Sequence, residues 1–278
     1  MPNIRPFRAL RFDPAVVGDL AAVVAPAHDL IDDAEHERLL ARHPANVVRV
    51  DLPETRSGDE PDDRYRRAAR AMAEWRSGAI LHKDPHPSIY LYERTQPVRG
   101  SDVVGRQVGY FARVRLEPFG PGSGILSQDP AAAVPDEDRY RLLRAMGVNT
   151  SPVVGLYDDA TDATSARIAS LMDRPADTDL TTDDGARHRL WAVAADGEGE
   201  MAAGVAALLG PAMAAPLTIA RGQDVYVTAL RYRDERRMSR SCEEDPAFDY
   251  VLMLLLERTG QSLDPEVPTG LVINPHEW

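Results

Sequence analysis

The chain has 278 residues, a formal net charge of -12 at pH 7 and 44% hydrophobic residues, which is length and apolar content for one large or two modest folded units with a real core. That acidic balance argues against broad binding to nucleic acid or anionic membranes, because phosphate backbones are held by an excess of Lys and Arg. The single cysteine, Cys242, excludes an intrachain disulfide and a cysteine-based zinc cage; no apolar run approaches the roughly 18 residues of a membrane span and none reads as a signal peptide, so a cytoplasmic location is expected.

Met1 to Val24 carries PFRALRFDP and a mixed apolar run, after which VVAPAHDLI reads as a strand leaving through Pro26 into a polar turn that holds His28 and Asp29. An adjacent imidazole and carboxylate can serve as proton-transfer partners or stand as an ordinary solvated turn. Asp32 to Arg42 predicts a polar helix capped by Asp32 or Asp33, and Asn46 to Pro53, NVVRVDLP, has the valine content and alternation of a strand. A charged Gly/Pro loop over Glu54 to Asp63 leads to an amphipathic helix, Arg64 to Ser77, ended by Gly78. His82 and His86 have the spacing of a helical metal pair, but Pro85 and Pro87 make a turn the expectation. Lys83 is the only lysine and follows no glycine loop, so P-loop and Schiff-base chemistry have no candidate residue.

Ser88 to Gln96 and Val108 to Leu116 alternate like the two arms of a β-hairpin. Glu117 to Gln128 is glycine-rich and irregular; Asp129 then heads a small-residue run into PDEDRYRLLRAMG, a helix with Pro135 in its first turn and Gly147 at its end. Asp136, Glu137 and Asp138 there either hold a divalent cation or complement the helix dipole. Asn149, Thr150 and Ser151 precede a buried strand, Ser151 to Asp159, and either line a pocket or cap a turn. The polar stretch Ala160 to Asp184 has a short helix at Ser165 to Met172; Arg187 to Ala194 is a strand and Met201 to Leu209 an alanine-rich helix.

Leu217 to Ala220 predicts a short buried strand, Gly222 a tight turn, and Asp224 the N-cap of a helix carrying Val225, Tyr226, Ala229 and Leu230. Such a junction points free backbone N–H groups at one spot and makes a seat for an anion; an ordinary strand-to-helix connection is the alternative. Cys242, among acids, is not a candidate nucleophile. Tyr250 to Glu257 is a strongly apolar run ending near Gly260, and Gly270 to Asn274 reads as a closing strand. Strands and helices interleave irregularly, so the expected class is mixed α/β or α+β: a mixed sheet with flanking helices, an N-terminal α/β portion over 1–98 and a core portion over 99–278, packed as one unit.

PFRALRFDP, VVAPAHDLI, ANVVRVDLP, SIYLYERT, GYFARVRLE, PDEDRYRLLRAMGVNTSPVVGLYDD, HRLWAV and TALRYRDE follow one another in the order seen in one bacterial and archaeal family. Over nearly its whole length the chain resembles that family, catalogued as domain of unknown function 1015, which is similar to the ParB/sulfiredoxin-like free serine kinases. The resemblance implies a ParB/sulfiredoxin-like core and phosphoryl transfer from ATP or ADP, with Mg²⁺, to the hydroxyl of a serine-like free amino acid. It further implies a base in a Pro-His-Glu-x-Thr-like motif and a nucleotide-holding Asp-Gly-His-His-Arg-like turn. Here Ser127-Gln128-Asp129 stands in the first place and Arg221-Gly222-Gln223-Asp224-Val225 in the second.

Carried over residue by residue, Asp129 is the candidate base, and Arg221, Gly222, Gln223 and Asp224 surround the phosphates. His28, Asp29, Asn149 and Ser151 are the candidate substrate contacts, with no metal ligand assigned. Asp in place of Glu draws the carboxylate back by about one methylene, Val225 removes a charge-assisted phosphate contact, and Asp224 adds a negative charge. Two alternatives stand beside the kinase: a repurposed biosynthetic enzyme taking an amino-acid-like substrate without phosphoryl transfer, and a non-catalytic ligand-binding protein. All three expect a small-molecule partner, with neither nucleic acid nor membrane. Family members run on past GLVINPHEW, so further chain is expected there.

Overall fold

The computed structural model describes residues 1–276 except 99, 101–102, 128, 130–133, 160–162, 197–199, 240–243, 260, 262–263 and 265, together with the side chains of 200–202. The expectations placed on Gln128, Cys242 and Gly260 therefore lie outside the described residues. In chain order the elements are β1 (Ile4–Arg5), β2 (Leu10–Phe12), α1 (Pro14–Val17), α2 (Asp33–Arg42), α3 (Val48–Asp51), α4 (Asp63–Ser77), β3 (Leu81–Lys83), β4 (Ser88–Pro97), β5 (Val104–Arg115) and β6 (Ile125–Leu126). There follow α5 (Glu137–Met146), β7 (Val148–Asn149), β8 (Val153–Tyr157), α6 (Ala163–Leu171), β9 (Thr178–Thr181), β10 (Arg187–Ala194), α7 (Glu200–Ala214), β11 (Leu217–Arg221), α8 (Gln223–Ser239), β12 (Tyr250–Glu257) and β13 (Asn274–Pro275).

The apolar run Tyr250 to Glu257 becomes the central strand of a nine-stranded sheet ordered β6-β11-β8-β12-β5-β4-β10-β9, with β1 added beside β5. It runs parallel to β8 and antiparallel to β5, so the sheet is mixed. Every residue of β12 is buried because alternate side chains serve two layers. Val251, Met253 and Leu255 join Tyr110, Trp191 and Tyr226 beneath α5, α7 and α8; Leu252, Leu254 and Leu256 meet Phe7, Tyr90, Phe111 and Val272 on the other face. Each fully buried leucine stabilises the fold by about 1.5–3 kcal/mol. A third cluster, built from Leu10, Phe12, Leu39, Val48, Tyr65 and Trp75, ties β2, β3 and α2 to α4 against Leu142 of α5. Strands β4 and β5 pair across residue 98, from Tyr90 opposite Phe111 to Pro97 opposite Val104, so the sheet is continuous there.

Several caps follow the sequence closely. Asp32 Oδ1 accepts from Glu35 N–H and Gly147 closes α5 in the left-handed conformation, whereas α5 begins only at Glu137 with Asp136 Oδ1 capping Arg139 N–H, so Pro135 precedes the helix instead of standing in its first turn. Three expected strands are different. In VVAPAHDLI, Ala25 makes an isolated bridge to Thr269, and His28 to Leu30 form a 3-10 turn after Pro26. In NVVRVDLP the Asn46 amide donates to the Ala22 and Val24 carbonyls while its oxygen accepts from Val48 N–H, so a side chain replaces strand pairing and the chain winds into α3. Gly270 to Asn274 reduces to a Leu10–Ile273 bridge and the short pairing of β13 with β7. Strand β9 lies within the polar stretch Ala160 to Asp184, for which only a short helix is expected, and α7 continues past Leu209 through Pro211. No helix among the described residues is long and apolar enough to cross a membrane.

Candidate functional site

Strand β11 lies antiparallel to β8 with Arg221 opposite Val154, and Gly222 turns the chain into α8. Gly222 has φ of 76°, and a Cβ there would lie 3.3 Å from Val153 Cα and 3.5 Å from the Pro152 carbonyl oxygen. Glycine is required by both conformation and space. The Gly222 carbonyl accepts from Tyr226 N–H, the first bond of α8, so Gly222 occupies the cap position expected for Asp224, which instead sits in the first turn. The N–H groups of that turn carry the positive end of the helix dipole.

A cavity of about 210 Å³ opens at this helix start, and His28, Asp29, Ser151, Arg221, Gly222 and Asp224 all line it, together with Val267 and Thr269. Arg221 donates through Nη2 to Asp29 Oδ2 at 2.6 Å, and its Nη1 lies 3.7 Å from Glu266 Oε1. Arg221 and Asp29 side chains are 29% and 54% exposed, so the pair is held by no more than about 1 kcal/mol and yields readily to a competing carboxylate. His28 Nε2 stands 3.8 Å from Asp224 Oδ2, while its Nδ1 is buried without a partner among the described residues.

Gln223 points the other way and clamps the loop after β6. Its Nε2 donates to the Asp129 carbonyl at 2.7 Å, and its Oε1 accepts from the Ser127 hydroxyl. Asp129 N–H donates to Ser127 Oγ, so the backbone of Asp129 is fixed at the start of α8 while the residue itself is exposed and outside the cavity wall. Asn149 sits behind that wall. Its buried Oδ1 accepts from Leu252 N–H and Asn274 Nδ2 and lies 2.9 Å from His276 Nε2, fastening the C-terminal segment to the central strand.

Asp51 was missed because it ends a run that reads as a strand. It is 2% exposed, and its Oδ1 accepts from Thr150 Oγ1 at 2.5 Å, Ser151 Oγ at 2.9 Å and Arg139 Nη1 at 3.3 Å. An acid closing an apolar run was the available signal, since a carboxylate enters a core only with partners. Glu266 was missed too, lying in a Pro-rich loop without periodicity.

A second cavity of about 460 Å³ adjoins the first at Ala27 and Val267, with apolar walls from Val24, Leu30 and Leu39 and a polar end formed by Arg94, Asp184, His188 and Glu266. Buried Arg94 donates to Gln96 Oε1 at 2.5 Å and reaches Glu266 Oε2 at 3.3 Å. Burial, helped by the charge of Arg94, pushes the His188 imidazole down to about 4, so the ring is neutral at pH 7. Thr182 Oγ1 donates to Asp184 and is left as acceptor for His188 Nε2–H, which leaves Nδ1 to accept from the Tyr92 hydroxyl at 2.8 Å.

The acids at the start of α5 are all engaged: Asp136 caps the helix, Glu137 accepts from Arg141 and Arg231, and Asp138 accepts from Arg64 and Tyr65. Among the described residues no group of three or more His, Cys, Asp or Glu is placed to hold a metal ion.

The family model described as protein of unknown function (DUF1015) matches residues 4–264, and the chain belongs to that family. No curated protein and no solved structure matches the chain.

Proposed function

We propose that the chain binds a free, amino-acid-like zwitterion in the cavity at the start of α8. The observation that carries this reading is the pairing of opposite charges across one small space. Arg221 and the N–H groups of the first turn of α8 meet a carboxylate, and Asp29 and Asp224 meet an ammonium group, with Glu266 of the adjoining cavity 3.7 Å from Arg221. A cavity of about 210 Å³ suits a molecule of that size, and the weak Arg221–Asp29 pair opens to the ligand so that each partner takes one end of it. This chemistry serves a repurposed biosynthetic enzyme or a binding protein equally well.

The second reading keeps the lineage of the resemblance: a ParB/sulfiredoxin-like core on which ATP or ADP with Mg²⁺ phosphorylates a serine-like hydroxyl, with Asp129 as base. The adjoining cavity of about 460 Å³ favours it, being large enough for a nucleoside. The phosphates fit less well. Arg221 is already shared by Asp29 and Glu266, Asp224 stands in the first turn, and Val225 offers no cation, so no phosphoryl-transfer step is assigned. Thermal unfolding with millimolar free amino acids, and separately with ATP or ADP and Mg²⁺, tests the two. A ligand at 100 times its Kd stabilises by about 2.7 kcal/mol, and Arg221→Ala should abolish the amino-acid shift. A shift with nucleotide alone would replace the first reading by the second.

A further inference from the structure

We infer that Ser151 is an acceptor-only contact for the ammonium group of the ligand, and that buried Asp51 sets it in that role. The inference rests on the zwitterion reading and names the residue that selects for the amine. Ser151 lines the cavity directly beside the Gly222 turn, because the Cβ position of Gly222 already touches Pro152 and Val153. A free serine hydroxyl offers one proton and two lone pairs and can turn either toward a ligand.

Here the hydroxyl is not free to turn. Ser151 Oγ donates its proton to Asp51 Oδ1 at 2.9 Å, and an ionised carboxylate only accepts. Asp51 is held in place from behind by Arg139 and Thr150, both buried, and α3 carries it into the core. Thr269 Oγ1 stands 3.3 Å from Ser151 Oγ. With the serine proton committed to Asp51, that contact can only be Thr269 donating, and it uses one lone pair. The remaining lone pair is left for the cavity that Ser151 lines, to meet a donor and repel a second carboxylate oxygen. Asp29 and Asp224 supply charge for the ammonium; Ser151 supplies direction, which a rotatable surface carboxylate does not. Asp51 is a positioning residue and touches no ligand.

The test uses the whole chain and calorimetry with the twenty free L-amino acids as probes, each paired with its deamino acid, such as 3-hydroxypropanoate for L-serine. For the tightest amino acid, Ser151→Ala should weaken binding about tenfold or more while leaving the deamino acid unchanged, so that the preference for the amine collapses. Asp51→Asn should lower the same preference without contacting ligand, because its amide nitrogen lets the serine proton turn into the cavity. Thermal unfolding of each variant confirms that it is folded, and Ser151→Ala alone decides if Asp51→Asn is not. Equal losses for both ligands, or an unchanged preference, would overturn the inference and leave the zwitterion reading standing. Absence of wild-type binding to every amino acid would overturn the zwitterion reading and this inference with it.

Discussion

Replacing Asp51 by alanine strands a buried charge behind the site, and the size of the effect follows from what is left behind. Three donors lose one acceptor: the Thr150 and Ser151 hydroxyls and the Arg139 guanidinium. The hydroxyls can turn toward each other or to water, at modest cost. Arg139 cannot, because its side chain is 9% exposed and its next carboxylate, Asp138, lies 3.9 Å away. Breaking a buried ion pair from one side costs about 3–5 kcal/mol. Asp138 and a space of about 40 Å³ beside the pair, able to admit a water, move the expectation to the lower end, about 3 kcal/mol. Urea unfolding should show this as a lower midpoint with an unchanged slope. Arg139→Met should rescue part of the loss when combined with Asp51→Ala, since it removes the stranded charge. A loss below about 1 kcal/mol, or a double variant no better than Asp51→Ala, would refute the reading of Asp51 as the buried counter-charge on which Arg139 depends.

Other expectations are independent of that pair. Gly222→Ala should destabilise by about 1–2 kcal/mol from its positive φ, and more from contact with the β8 backbone, with ligand binding falling alongside; a neutral result in urea would contradict the close approach. Asn149→Leu should cost about 2 kcal/mol and release the C-terminal segment to protease, because Leu252 N–H and the Asn274 amide lose their acceptor. Burial holds His188 down to about 4 and His276 to about 3, so between pH 6.5 and 4 the unfolded chain takes up protons that the folded chain does not. Stability should therefore fall as pH drops through that window, with a slope approaching about 1.4 kcal/mol per unit for each histidine. His188→Gln should flatten the slope, and an unchanged slope would show that the ring is not buried neutral.

Local structure is legible in the sequence where one side-chain pattern has one structural meaning. The β4–β5 hairpin alternates because both arms pack by period two, and α5 stops at Gly147, which does what its chemistry favours at a helix end. Local structure is hidden where a side chain stands in for backbone. NVVRVD has the composition of a strand, but Asn46 binds three backbone groups and α3 forms, so Asp51 arrives beneath Ser151 by a route no local pattern records. In VVAPAHDLI the valines are buried against the sheet without pairing in it, and Pro26 ends the extended stretch one residue after its single bridge. Of the site, the Gly222 turn was legible from its glycine and the helix behind it. His28 and Asp29 are expected at the site only through the family resemblance; that they face Gly222, with Asp29 and Arg221 192 residues apart, depends on the sheet order and on the Ala25–Thr269 bridge, which no local pattern records.

The measurement closest to the central claim is a calorimetric titration of the unmodified chain with free amino acids, followed by the same titration of Arg221→Ala and of Asp29→Asn. Saturable binding in the unmodified chain, lost in Arg221→Ala and weakened in Asp29→Asn, is the predicted result. Binding that survives Arg221→Ala, or no binding by any amino acid, would contradict a zwitterion site at the start of α8.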